Sequence, residues 1–148
     1  MKIVLAFEKN SESLMAKIIR WYTSSNYSHV EMIIGDKWIS SDASVGGVYI
    51  RDLKPLKESW DYIEVEVDGR KLKSVWRFIK SQEDAKYDWC GIVCSQTFKI
   101  QRKENQDEWF CSEIVTKILQ IFGEEKSLKY YPSSMSAESL HLLYSWEN

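Results

Sequence analysis

The sequence predicts an α+β fold, an antiparallel sheet packed against helices, in a single domain spanning residues 1–148. Three observations carry that expectation. Short apolar or alternating runs crowd the first half of the chain, helical periodicity dominates the second half, and a Gly35-Asp36 pair sits between two of the early runs as a hairpin turn would.

Each element follows in order. Lys2 to Glu8 is a short apolar run and reads as a buried first strand. Residues 11–22 place Leu14, Ile18 and Trp21 or Tyr22 at helical spacing behind Ser11 or Ser13 as caps. A polar loop, Thr23 to Ser28, leads into strands at Ser28–Ile34 and Lys37–Ser41. Val48–Arg51 and Ile63–Val67 are further strands, and Glu64-Val-Glu-Val67 alternates as a half-exposed strand should. Leu72, Val75, Trp76 and Ile79 set a helix over 71–84, and a second helix is expected over 88–98. The polar run 99–107 reads as a loop. A helix then begins near Glu108 and stops at Gly123, and a last amphipathic helix covers Ser136–Trp146.

Composition narrows the function. Twenty Lys and Arg against 22 Asp and Glu leave a net charge of −2, so the basic footprint of a nucleic-acid binder is absent overall. No window reaches about 18 apolar residues, so no transmembrane segment is expected. MKIVLAFEKN carries too short an apolar run for a signal peptide. Three cysteines, Cys90, Cys94 and Cys111, make an odd set that fits a reducing compartment better than a disulfide framework. With only His29 and His141 as histidines, far apart in sequence, neither a metal site nor a metal cofactor is expected.

The chemistry concentrates in two segments. With a two-residue turn at Gly35-Asp36, Glu31 falls opposite Ser40 and His29 opposite Asp42. His29, Glu31, Trp38, Ser40 and Asp42 then share one face, while Val30, Met32 and Ile34 occupy the other. On that register Asp42 can accept a proton from one imidazole nitrogen and orient the other. A three-residue loop would instead bring Ser41 opposite Glu31 and leave Glu31 as the carboxylate for His29. A plain surface hairpin with its polar residues in water is the alternative use of the same pattern. The second segment is Glu108-Trp-Phe-Cys-Ser-Glu-Ile-Val115, where Phe110, Ile114, Ile118 and Ile121 put Cys111 in the first turn of a helix. The helix dipole and free N–H groups there stabilise a thiolate or an oxyanion. A thiolate, a histidine and an orienting carboxylate make a nucleophilic triad of Cys111, His29 and Asp42. The alternatives are that Cys111 is a small buried apolar residue, or that it pairs with His141 on the last helix.

These motifs, taken in order, resemble the circularly permuted NlpC/P60 papain-like cysteine hydrolases of bacteria and phages. The matching pieces are Arg20-Trp-Tyr-Thr23, Tyr27-Ser-His-Val-Glu31, Gly35-Asp-Lys-Trp38, Gly46-Gly-Val48, Lys86-Tyr-Asp-Trp89 and Trp109-Phe-Cys-Ser-Glu113, about two thirds of the chain. Tyr131-Pro132 with Ser136 and Leu140 is similar to the family's closing helix. The resemblance implies a permuted papain-like fold with the nucleophile at a helix N-terminus. It assigns Cys111 as nucleophile and His29 as base, with the histidine preceding the cysteine as the permutation requires. The family's third polar residue, often a glutamate, lies on the strand after the histidine, where this chain offers Asp42 beside Ser40 and Ser41. The same resemblance implies that Tyr87 packs beside the thiol, and that Glu31, Ser40, Ser41 and Trp109 orient the site or bind substrate.

The implied activity is that of a thiol hydrolase or acyltransferase, a cysteine-peptidase or amidase type acting on an amide, ester or thioester. Its substrate would be a small acyl, peptide or lipid-like molecule, held in an aromatic groove, with no organic cofactor. Cytoplasmic localisation is expected, in the host cell if the protein is phage-encoded. The competing expectation is a catalytically silent papain-like binding protein whose aromatic groove takes a peptide or a host protein.

Overall fold

The strands over Lys2–Lys9, Tyr27–Ile34 and Lys37–Asp42 are buried or half-buried along most of their length, whereas the end of the Trp60–Glu66 strand alternates buried and exposed side chains. A computed structural model describes residues 1–9, 26–88 and 107–146. Among these residues seven strands form one sheet: β1 (Lys2–Lys9), β2 (Tyr27–Ile34), β3 (Lys37–Asp42), β4 (Gly47–Asp52), β5 (Trp60–Glu66), β6 (Lys86–Tyr87) and β7 (Glu108–Trp109). Their spatial order is β5-β1-β2-β3-β4-β6-β7, antiparallel throughout except for the parallel β6–β7 pair. Three α-helices are described: α1 (Leu72–Ser81), α2 (Cys111–Phe122) and α3 (Ala137–Ser145). The predicted α+β class with helices packed on a mostly antiparallel sheet is therefore what the chain forms. No helix among the described residues is long and apolar enough to cross a membrane.

The main core lies on one face of the sheet. Val30, Met32, Ile34, Ile39 and Val48 meet Ile114, Val115, Ile118, Leu119 and Phe122 of α2, with Val75 and Ile79 of α1 and Leu140 and Tyr144 of α3 beside them. Each such side chain contributes about 1.5–3 kcal/mol of transfer free energy. With five of them, α2 is firmly fixed to β2 and β3, and its first residue is fixed with it. The helix ends at Gly123 (φ 76°), whose N–H closes back on Leu119 and Gln120 as the stop signal in the sequence anticipates. The opposite face is lined by Ala6, Ile33 and Trp38, with Trp60 and Tyr62 packed alongside.

The Gly35-Asp36 turn holds two residues, and the ladder pairs Ile34 with Lys37, Ile33 with Trp38 and Met32 with Ile39, as the composition of the turn predicts. One expectation is corrected. Glu108 and Trp109 are not helical; they form β7, and the helix starts at Cys111. Strands β6 and β7 also escape sequence analysis because two residues carry no periodicity. The helices expected over 11–22 and 88–98, with Cys90 and Cys94, lie outside the described residues.

The Gly46-Gly47 pair has a steric cause. Gly47 (φ +156°) pairs with Lys86, and a Cβ at this position would sit 2.0 Å from the Ala85 carbonyl oxygen. Val48 donates to that same carbonyl and Tyr87 donates to Gly46, at 3.0 and 3.1 Å. This bare backbone contact seats β6 on the sheet, and β6 in turn carries β7 and the approach to Cys111.

Candidate active site

The start of α2 is built from both sides. The Trp109 carbonyl accepts the Ser41 hydroxyl at 2.7 Å and the Asp88 N–H at 3.1 Å, so the chain two residues before Cys111 is pinned to β3 and to the end of β6. Phe110 is extended (φ −103°, ψ 166°) and makes no side-chain cap. The first helical bond runs from Ile114 N–H to Phe110 at 3.2 Å. The N–H groups of Cys111, Ser112 and Glu113 therefore precede the helical ladder, which is the arrangement that receives negative charge at a helix start. Cys111 is only 4% exposed.

His29 arrives from β2 across a bulge. Along β1, Glu8 faces His29 but Lys9 faces Tyr27, leaving Ser28 as an extra residue in β2. Past the Met32–Ile39 pair the β2–β3 ladder gives way to a side-chain bond, Ser40 Oγ donating to the Val30 carbonyl at 2.6 Å. In this region the Cys111 thiol lies near enough to the His29 imidazole to act on its charge state. Burial by itself pushes the imidazole toward its neutral form. The hydrogen bonds and charges of Cys111 and Glu31 outweigh it and hold the His29 pKa well above the usual histidine value. Trp60 stands edge-on to the ring, with centroids 6.2 Å apart.

The group behind His29 is not the one the hairpin register predicts. His29 Nε2 lies 3.2 Å from the Tyr49 hydroxyl and 3.5 Å from Glu31 Oε1. The Asp42 carboxylate instead accepts the Ser44 N–H at 2.6 Å, closing the turn between β3 and β4. Burial raises and the Ser44 bonds lower the Asp42 pKa; His29 and Arg51 add to the lowering only through their charge, and the net shift is downward. The two-residue turn forms as predicted, but the β2–β3 ladder ends at Met32–Ile39, short of the expected Glu31–Ser40 and His29–Asp42 pairs, and an aspartate at the head of a tight turn is captured by the turn's own N–H. Tyr49, which pairs with Ser40 from β4, fills the place beside the imidazole. Sequence analysis missed Tyr49 because its approach depends on a third strand; its alternation with Ser40 across β3–β4 was the available signal.

Of the remaining predicted residues, Glu31 stands beside His29 as one of the alternatives required. Ser40 and Ser41 are fully buried and bond backbone carbonyls, so they brace the site from within and do not face a ligand. The same correction applies to Trp109: its indole is fully buried against Phe78 and donates to Gln82 at 2.7 Å. Tyr87 is buried near the thiol. Burial first, then the charges of Cys111, Asp42 and Asp88, push its hydroxyl pKa upward. His141 does not meet Cys111; it contacts the Tyr27 hydroxyl at 2.9 Å and stands edge-on to Phe7. No group of three or more His, Cys, Asp or Glu able to hold a metal ion occurs among the described residues.

Comparison with protein-family models and with curated proteins finds no match to this chain.

Proposed function

We propose that the protein is a thiol-dependent hydrolase or acyltransferase of the permuted NlpC/P60 type, acting on an amide, ester or thioester. The observation that carries this reading is the proximity of a helix-start thiol, Cys111, to a largely buried histidine whose Nε2 is approached by Tyr49 and Glu31. The motif order in the sequence supports it independently.

In this reading the Cys111 thiolate attacks the carbonyl carbon of the substrate, and the carbonyl π electrons move onto oxygen. The N–H groups at the start of α2 receive that oxyanion. Because Tyr49 and Glu31 occupy the Nε2 side of His29, Nδ1 serves the thiol. The imidazolium passes its proton to the leaving group as the carbon–heteroatom bond breaks, giving an acyl-enzyme and neutral His29. Water, or an acceptor alcohol or amine, then gives its proton to His29 and attacks the acyl carbon, which releases Cys111. Glu31 takes the orienting role that the hairpin register assigned to Asp42. The substrate is an acyl, peptide or lipid-like molecule, and the odd cysteine count favours action in the cytoplasm.

The test is activity profiling on peptide, ester and thioester panels with wild type and Cys111→Ala. Turnover is expected in the wild type and none in Cys111→Ala at unchanged circular dichroism. Full activity in Cys111→Ala would overturn the reading.

A further inference from the structure

We infer that the outer edge of β4, at Ile50 and Asp52, is a docking site for an extended peptide that adds to the sheet as a strand and turns acidic side chains toward Arg51 and Lys54. Occupancy of this edge does not depend on the thiol-enzyme reading above.

The edge is open because β6 is too short to cover it. β6 pairs with β4 only at Gly47, and beyond that pair the Val48 N–H donates to the Ala85 carbonyl at 3.0 Å. The Val48 N–H therefore points away from β3, whereas the Leu53 N–H points the other way and reaches the Asp36 carbonyl at 2.7 Å. Backbone groups alternate in direction along a strand, so the N–H and C=O groups of Ile50 and Asp52 point outward with those of Val48. Among the described residues these four groups meet no hydrogen-bond partner. Unpaired groups in strand register are matched by another strand. A groove of about 620 Å³ runs beside them, walled by Leu53–Pro55 and by Glu83 from the α1–β6 connection.

Charge selects the occupant. Of the three cations lining the groove, Lys37 is taken by Asp52 at 2.5 Å and by Asp36 at 3.6 Å. Arg51 and Lys54 form no ion pair among the described residues, so two free cations stand against Glu83 in a chain whose net charge is −2. The Arg51 guanidinium lies 4.1 Å over the Tyr49 ring, which holds it on one face of β4, while Ile50 packs toward the core on the other. Side chains of an added strand alternate between the same two faces. Acidic residues at every second position therefore meet Arg51, and apolar residues between them meet Ile50. A second copy pairing through the same edge would instead set Arg51 and Lys54 against their own counterparts, a like-charge arrangement.

The probe is a fluorescein-labelled octapeptide alternating glutamate and valine, titrated into the full chain and followed by fluorescence anisotropy. Saturable binding is expected, with the largest amide shifts in the nuclear magnetic resonance spectrum at Ile50 and Asp52. The same peptide with lysine in place of glutamate should bind about tenfold more weakly or worse. Arg51→Gln and Lys54→Gln should each weaken the glutamate peptide about threefold. The strand geometry is tested without altering the protein. In an extended peptide the N–H groups of the glutamates face one side and those of the valines the other. N-methylation of one set should abolish binding, and N-methylation of the other should leave it within about twofold. Retention with both sets, or equal loss with both, overturns strand addition. So does an absence of binding up to about 1 mM peptide, or amide shifts centred away from β4. Equal affinity for the lysine peptide, or wild-type affinity in both glutamine variants, overturns the preference for acidic residues. Sedimentation of the protein alone tests the competing occupant: a dimer that the octapeptide dissociates would place a second copy on this edge and overturn its assignment to a peptide.

Discussion

Both histidines of this protein touch a tyrosine hydroxyl and lie near a carboxylate, yet the two surroundings drive them in opposite directions. His29 has Tyr49 and Glu31; His141 has Tyr27, whose hydroxyl donates to Asp61 at 2.6 Å. The Asp61 carboxylate is shared with Lys9 at 2.5 Å, and the charges of Asp61 and Glu138 that would raise the His141 pKa are outweighed by burial, with Lys9 adding a smaller opposing effect. Burial therefore wins there, and the His141 pKa is lowered. Among the described residues Glu31 pairs with no cation other than His29, and Cys111 adds its own hydrogen bond and charge, so the His29 pKa is raised. A His–Tyr–carboxylate cluster thus holds its imidazole toward the neutral form where burial dominates. It becomes a candidate catalytic unit when the acid is uncommitted and a thiol faces the ring.

The sharpest way to break the comparison is to remove the ring on each side. His29→Ala is expected to lower turnover about 10²–10⁴-fold. His141→Ala should leave turnover within about twofold and instead loosen the packing of α3, read as a lower melting temperature. Equal losses from the two substitutions would erase the distinction.

A backbone test comes next. Gly47→Ala forces a Cβ against the Ala85 carbonyl and is expected to cost about 3 kcal/mol or more in urea unfolding. Because β6 and β7 carry the approach to Cys111, its alkylation should also slow in the protein that remains folded. Unchanged stability would show that β6 can shift away without penalty.

The carboxylates give a smaller effect. Glu31→Gln should reduce kcat/KM by about tenfold, and Asp42→Ala by less, its cost being the loss of the turn bond to Ser44. The reverse order would return the orienting role to Asp42.

The finest test is titration of the two imidazoles by nuclear magnetic resonance. His29 should titrate well above the unperturbed value of about 6.5 and His141 below it. The linked stabilities have opposite signs. The contribution of His29 is fully present below about pH 6.5 and is lost as pH rises through its folded-state pKa. That of His141 is present above about pH 6.5 and is lost as pH falls through its lower folded-state pKa. Coincident titration curves would refute the comparison.

Much of this was legible in the chain itself. Apolar spacing locates β1 to β5 and the three described helices to within a few residues, because each buries enough side chains to impose a period. The Gly35-Asp36 turn alone sets the β2–β3 register, and the apolar stripe Phe110, Ile114, Ile118 places Cys111 at a helix start. Tertiary structure decided what stands behind His29. Local sequence can say which residues lie opposite one another on adjacent strands, but not which of two carboxylates a neighbouring turn will capture. It also cannot place Tyr49, whose hydroxyl reaches His29 only once β4 has paired with β3. Strands β6 and β7 belong to the same class of information: two residues each, with no pattern of their own, they exist because Gly47 lets one backbone lie against another.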